Sequence, residues 1–418
     1  MINIYTHYSD SGHAVSIHEK NQHNIFPSIK NDSIVKFGWT TDAFVQQLKQ
    51  LPNSENYFEI CPWNEQIPIA KHGYYLMHYG NDIQAQQHYG FIALPPIIVD
   101  QINDGVLTLL VVMVYETFAA ISLARWQDDF CTYLTYLGIQ RHQSVKVLLG
   151  SYSPTMQKHE DRRVTWMFYP WFEAALQNQV NSSGITIVPR DPLLKKKYKF
   201  LSLNKRPRPQ RFLLTAWLEH LQLAHHGYIS WPLTHDRTLD ELTTNPLYSY
   251  GLKFFPTMER HIRDINKILG CYPDADKFQG TDWLSSAPLY NDVDFEIVNE
   301  THHQNIGDNV FLTEKTFRAI YMGVPFMICG NPGSLELLRM LGYKTFPSVF
   351  DEHYDKIMSP VLAINHVVME VRRHANTNLP LSGFAHDEIL QATNHNQQLF
   401  LNKQHAQNIF EVIQKSYS

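Results

Sequence analysis

The stretch from Val106 to Ala124 constrains this chain more than any other. It is an apolar run long enough to cross a bilayer, but Glu116, Thr117 and Ser122 interrupt it, and its β-branched first half gives way to a helical pattern at Tyr115-Glu116. Thr108 to Tyr115 therefore reads as a strand buried on both faces, Thr117 to Leu137 as a helix and Val145 to Leu149 as the next strand. Two strands joined through a helix run parallel, and a parallel sheet needs helices on both faces. The expected fold class is α/β, with no membrane span.

A chain of 418 residues exceeds what one core serves, since single cores stop growing near ~250–300 residues, so two domains are expected. The second half repeats the alternation. Lys199 to Leu203 reads as a strand, Gln210 to Leu223 as a helix, Tyr228 to Trp231 as a strand, and Phe295 to Val298 as another. Glu314 to Met322 then reads as a helix, Val324 to Cys329 as a buried strand, and Ser334 to Leu341 as a helix with Ser334 as N-cap and Gly342 as stop. Ser182-Ser-Gly184, a short strand Ile185 to Val188, and Pro189 and Pro192 mark a crossing between halves. The layout expected is two Rossmann-like domains, 1–190 and 191–383, followed by a helical tail, 384–418. Residues 1–100, rich in His, Asn, Gln and Tyr, show weak periodicity and yield few elements.

The composition, 44% hydrophobic and 18% charged, is that of a globular protein. A formal charge of −5 gives no chain-wide electrostatic reason for nucleic-acid binding. Cys61, Cys131, Cys271 and Cys329 show neither zinc-site spacing nor disulfide density, and Met1 to His7 lacks a secretory-leader pattern, so a cytoplasmic location is expected.

One constellation concentrates chemistry: Asn299-Glu300, a loop ending Asp308 to Thr313, then Glu314-Lys315 and Gly323-Val-Pro-Phe326. A lysine in a helix's first turn meets the partial positive charge of the helix terminus, so an anion should compensate. A diphosphate would serve, accepting bonds from free backbone N–H groups, the Thr313 hydroxyl and Lys315, with Glu314 holding ribose or sugar hydroxyls. On spacing alone, an ordinary N-cap beside a solvated charge pair fits as well.

These residues resemble a known pattern. Phe295 to Gly330 is similar to the donor-binding region of the α-1,3-fucosyltransferase-like glycosyltransferases, with counterparts at Glu300, Thr313-Glu314-Lys315 and Gly323-Val324-Pro325. Gly330 to Ser334 and Phe350 to Asp355 also look like segments of viral and bacterial glycosyltransferase-like proteins. The resemblance covers about the last half of the chain. It implies the two-domain GT-B fold, with two Rossmann-like domains facing across a cleft, and a nucleotide-sugar donor site in the second. The chain has Asn-Glu-Thr at 299–301 where the fucosyltransferases have Phe-Glu-Asn, which leaves the donor sugar open.

A second constellation, Lys195 to Arg211, holds eight basic residues and no acid. Asn204-Lys205-Arg206 falls at a strand's carboxyl end, the edge where open α/β sheets bind ligands, and the family places a phosphate-contacting basic residue in a comparable loop. Arg206 is the first choice, with Lys205 and Arg208 close behind; a solvated linker or a contact to a nucleic-acid backbone are the other readings. A third candidate is Glu116, at the carboxyl end of its strand, as general base for an acceptor hydroxyl; a helix-terminal glutamate fits equally well, and His7, Asp10 and His13 form a weaker alternative. Asp274-Ala-Asp276 and Asp292-Val-Asp294 read as surface acids, and His18 to His23 misses the spacing of a zinc-binding helix.

The sequence thus predicts an inverting glycosyltransferase with no metal or other cofactor, moving a sugar from a nucleotide-sugar donor to a hydroxyl of a glycan, protein or other acceptor. The alternatives are a viral-type transferase acting on DNA bases and a non-catalytic nucleotide- or carbohydrate-binding protein on the same fold.

Overall fold

The computed structural model describes residues 1–7, 39–63, 72–78, 94–114, 123–184, 195–205, 208–231, 248–249, 252–253, 255, 257, 283–303, 309–377 and 382–414. The chain divides into two units. One comprises Met1–Ala174, Ile306–Asn309 and Gln404–Ser418, the other Ala175–Asn305 and Val310–Lys403. Residues 185–194, where the sequence places the crossing, lie outside the described residues.

The first unit carries six parallel strands, β1 (Ile2–His7), β2 (Phe58–Trp63), β3 (Gly73–His78), β4 (Leu107–Met113), β5 (Val145–Leu149) and β6 (Val164–Phe168), in the order β2-β1-β3-β4-β5-β6. Strand β4 explains the apolar run. Its Leu107, Leu109, Val111 and Met113 enter one core with Ile98 and Ile102 of the helix Pro96–Asn103 and with Trp126 and Phe130 of the helix Leu123–Tyr136. The alternate residues Leu110, Val112 and Val114 enter a second core with Phe44 and Leu48 of the helix Trp39–Gln50 and Ile409 and Ile413 of the helix His405–Gln414. Both faces are covered, so no alternation with polar residues survives in the strand. Lys146 of β5 is buried and polar: its ammonium donates to the Ile413 carbonyl in the last turn of the helix His405–Gln414 and, at 3.4 Å, to the Tyr74 hydroxyl. The first hundred residues, nearly silent in the sequence, supply, among those described, the strands β1, β2 and β3, the helix Trp39–Gln50 and the start of the helix Pro96–Asn103.

The second unit carries a four-stranded parallel sheet of β7 (Tyr198–Ser202), β8 (Gly227–Ile229), β9 (Val293–Asn299) and β10 (Phe326–Cys329), in the order β10-β9-β7-β8. Phe295 of β9 packs against Phe200 of β7 at 6.2 Å between ring centres and against His374 of the helix Pro360–Ala375 at 5.9 Å. The next residue, Glu296, points the opposite way and pairs with Arg318 of the helix Glu314–Tyr321 at 3.3 Å, with the Tyr290 hydroxyl donating to the same carboxylate at 2.8 Å. Helices therefore cover both faces of this sheet too. The helix Pro209–His220 packs with Pro360–Ala375, and the helix Ser382–Asn402 with Glu314–Tyr321.

One helix boundary differs from expectation. Ser334 is the first residue of the helix Ser334–Met340, not its cap; the cap position is Gly333, at φ 88°, and the Ser334 hydroxyl donates to the Asn331 carbonyl at 2.6 Å. The capping acceptor is remote in sequence: the Asp355 carboxylate takes the Leu335 N–H at 3.2 and 3.1 Å. Gly342, at φ 91°, follows the helix as expected.

Among the described residues, no helix is long and apolar enough to cross a membrane.

Candidate functional site

Strand order locates the place to look. In the second sheet the chain leaves β7 toward β8 on one side and leaves β9 toward β10 on the other, so the loops at the carboxyl ends of β7 and β9 diverge. Open α/β sheets bind ligands at such a switch point.

A polar floor occupies that edge. Asn204, fully buried two residues beyond β7, donates its backbone N–H to the Ser230 hydroxyl and its side-chain amide to the Ser230 carbonyl, both at 3.0 Å. Asn299, the last residue of β9, donates to the Asn204 side-chain oxygen at 3.1 Å and to the Ser202 hydroxyl at 3.0 Å. Its own side-chain oxygen is buried without a hydrogen-bond partner. Such an orphan acceptor costs free energy unless something supplies a donor.

The segment Asn299 to His303 is clamped between two helix starts. From the helix Pro209–His220, Gln210 donates to the Glu300 and Thr301 carbonyls at 3.1 Å each, and Arg211 to the Asn299 carbonyl at 3.1 Å and the Glu300 carbonyl at 3.3 Å. From the helix Glu314–Tyr321, Thr313 and Thr316 bind the Glu300 side chain. Oε1 of Glu300 accepts from the Thr313 N–H at 2.9 Å and the Thr316 hydroxyl at 2.6 Å. Oε2 accepts from the Thr313 hydroxyl at 2.6 Å and the Thr301 N–H at 3.3 Å. All four acceptor positions of this fully buried carboxylate are filled by the protein itself.

Thr313 is the N-cap, as its spacing predicts, and its hydroxyl is equally committed: it accepts from the Lys315 N–H at 3.4 Å and the Lys315 ammonium at 3.0 Å while donating to Glu300. The charge that compensates Lys315 is its neighbour Glu314, at 2.7 Å, rather than an external anion alone. Burial pushes the Glu314 carboxyl up, but Lys315 and Arg318 outweigh it and hold the group below the ordinary carboxylate value.

Cations gather around His302. Burial, then Arg208, Arg211 and Lys315, push its imidazole down to about 3, so it is neutral at pH 7. Arg208 holds the N-cap position of the helix Pro209–His220, which starts without a side-chain cap. Burial alone pushes the adjacent His303 down to about 4.

The structure thus brings Asn204, Glu300, Thr313, Glu314 and Lys315 to one edge, with Lys205 exposed beside them. Arg206, Glu116, Asp10 and His13 lie outside the described residues. His302 was legible only as one of a histidine pair, with nothing in its neighbours in sequence to mark the cations around it. In the first unit the corresponding switch point lies between β1 and β3, whose last residues are His7 and His78. His78 carried no sequence signal at all.

A second cluster in the first unit has the look of a nucleophile site. Cys131 lies 3.9 Å from Nδ1 of His159, whose Nε2 lies 3.1 Å from Asp128, next to a cavity of 370 Å³ lined by His142, His159 and Asp161 among others. Burial and the nearby Asp161 push the Cys131 thiol far up, which removes the thiolate a nucleophile needs. Among the described residues, no group of three metal-ligating side chains occurs.

Compared with protein-family models, curated proteins and solved structures, the chain finds no match in any of the three. Fold and site therefore define the class by themselves: a two-unit α/β protein of Rossmann-like parallel sheets, with a cation-lined polar edge at the switch point of the second.

Proposed function

We propose that this chain is an inverting, metal-independent glycosyltransferase of the GT-B type, binding a nucleotide-sugar at the carboxyl edge of its second sheet. The observation that carries the reading is the convergence of Lys315, Arg208 and Arg211 with two helix starts on the segment Asn299 to His303. Fixed cations and helix N-termini stabilise a departing nucleoside diphosphate without a metal. The orphan Asn299 oxygen adds a demand for a donor, which a ribose or sugar hydroxyl meets.

The roles divide. Lys315, Arg208 and, in the same loop, Lys205 and Arg206 face the diphosphate. Glu314 turns from Lys315 to a donor hydroxyl when the anion takes over the ammonium. Glu300, Thr313 and Asn204 position these groups, because their own hydrogen-bonding capacity is already used. The acceptor hydroxyl loses its proton to a base on the first unit, with Glu116 first in line and His7 second.

A thermal-shift panel of nucleoside diphosphates and nucleotide-sugars tests the reading, since a ligand that binds only the folded state raises the midpoint by mass action. One nucleotide should stabilise the protein, and Lys315→Ala should weaken it at least about tenfold, or ~1.4 kcal/mol, without unfolding the chain. Stabilisation by no member of the panel would sink the proposal. Binding without sugar transfer to any acceptor would leave a non-catalytic binding protein.

A further inference from the structure

Strand β6 closes the first sheet on one side: among the described residues it pairs with β5 and with no strand beyond. In a parallel pair every second residue turns its backbone groups to the neighbour, and the residues between turn theirs away. Two bonds fix which are which, from the Val145 N–H to the Arg163 carbonyl at 3.0 Å and from the Tyr169 N–H to the Leu149 carbonyl at 2.9 Å. Arg163, Thr165, Met167 and Tyr169 therefore face β5, while Val164, Trp166 and Phe168 face away. The Asp161 carbonyl accepts the Val164 N–H at 3.1 Å. The Val164 carbonyl, both backbone groups of Trp166 and the Phe168 N–H are left without a hydrogen bond among the described residues.

An edge strand ordinarily lies open to water, which satisfies such groups. This one is recessed. Val164, Thr165 and Trp166 are only 9%, 7% and 3% exposed, and all three line the 370 Å³ cavity, together with the exposed His142, Glu160 and Arg162. The indole N–H of Trp166 is also buried without a partner, its ring held edge-to-face by Trp126, Phe130 and His159 at 5.7, 6.0 and 5.8 Å between ring centres. One residue in a cavity wall thus holds an unused donor and acceptor on its backbone and an unused donor on its side chain. Buried polar groups without partners are rare, and the cavity has the volume of a small ligand site.

What an occupant must supply is what a polypeptide backbone carries: a carbonyl for the Trp166 N–H, N–H groups for the Val164 and Trp166 carbonyls, and a further acceptor for the indole. The recess decides between partners. A second copy of this chain presents the same buried strand, so two β6 edges do not meet, whereas a single extended segment enters. We propose that the outer edge of β6 is a docking site for an extended peptide segment of another protein, which adds to the first sheet as a further strand and places a side chain in the cavity. The site lies wholly in the first unit and stands independently of the nucleotide-sugar reading.

A phage-displayed library of random decapeptides, panned on the full-length protein, supplies the probe, and the selected peptide is synthesised and titrated by fluorescence anisotropy. N-methylating it one residue at a time should weaken binding about tenfold at alternate positions and leave it unchanged between them, because a strand turns every second amide to its neighbour. Hydrogen exchange read at single residues should slow at the Trp166 and Phe168 amides when the peptide binds, and stay as it was at Thr165 and Met167, which already bond to β5. Trp166→Phe keeps a ring in the core, removes the indole N–H and should weaken binding about three- to tenfold. A library that yields no binder, N-methyl losses without a two-residue period, or a bound peptide that leaves the Trp166 amide exchanging as before would each overturn the proposal. Unchanged affinity in Trp166→Phe would overturn it too, since the peptide would then run clear of the cavity. A dimer in sedimentation whose Trp166 amide is slowed without peptide would give the edge to a second copy instead.

Discussion

Glu300 accepts four hydrogen bonds from Thr301, Thr313 and Thr316 and exposes no surface. Its position in the motif suggests a hand on the sugar, but its chemistry is that of a pin between a strand end and a helix start. Glu300→Gln puts an NH₂ where the protein offers donors, so the variant should lose about 2–3 kcal/mol of stability, read from the urea midpoint. An unchanged midpoint with lost turnover would return Glu300 to the sugar. His374 is a second buried group with a measurable signature. It sits against Phe295 and Phe350 with Nε2 3.1 Å from the Val349 carbonyl, and burial pushes it down to about 4. Below about pH 6.5 the unfolded chain binds a proton that the folded one refuses, so this contribution is present at neutral pH and is lost as pH falls toward 4. Between pH 7.5 and 5, His374→Gln should lose about 2 kcal/mol less stability than wild type, and parallel losses in the two proteins would show that His374 is not buried neutral.

At the scale of elements, the carboxyl edge of the first sheet is held by close backbone contact. A Cβ on Gly150, just past β5, would lie 2.2 Å from the Val114 carbonyl oxygen, just past β4. Backbone cannot yield as a side-chain tip can, so Gly150→Ala should destabilise the protein by about 1–3 kcal/mol, measured by thermal or urea unfolding. Full stability in that variant would mean that the two strand ends separate freely. The second sheet handles its helix starts differently: Thr313 caps from within the motif, while Asp355 caps the helix Ser334–Met340 from twenty residues away in sequence. The first kind of cap is legible in a sequence and the second is not, because only folding brings a remote carboxylate to a helix terminus.

For the whole molecule, the proposed transfer requires a base for the acceptor hydroxyl. Glu116→Gln should keep donor affinity and lose turnover by about 10²–10⁴-fold if Glu116 is the base. Full turnover in that variant, with loss in His7→Gln, would move the base to the switch point between β1 and β3, where His7 and His78 end their strands.

What the sequence determined by itself is what local chemistry decides. The apolar run over β4, the strand Val145–Leu149, the Thr313 cap and the stop at Gly342 were all legible, because periodicity, capping and glycine's positive φ act over a few residues. Only the tertiary structure separated the motif residues that hold one another from those that face outward. Glu300 meets Thr316 across 16 residues, and Arg211 meets the Glu300 carbonyl across 89. Whether a buried polar group has capacity left for a ligand depends on donors that the chain delivers from such distances, which no local pattern in the sequence records.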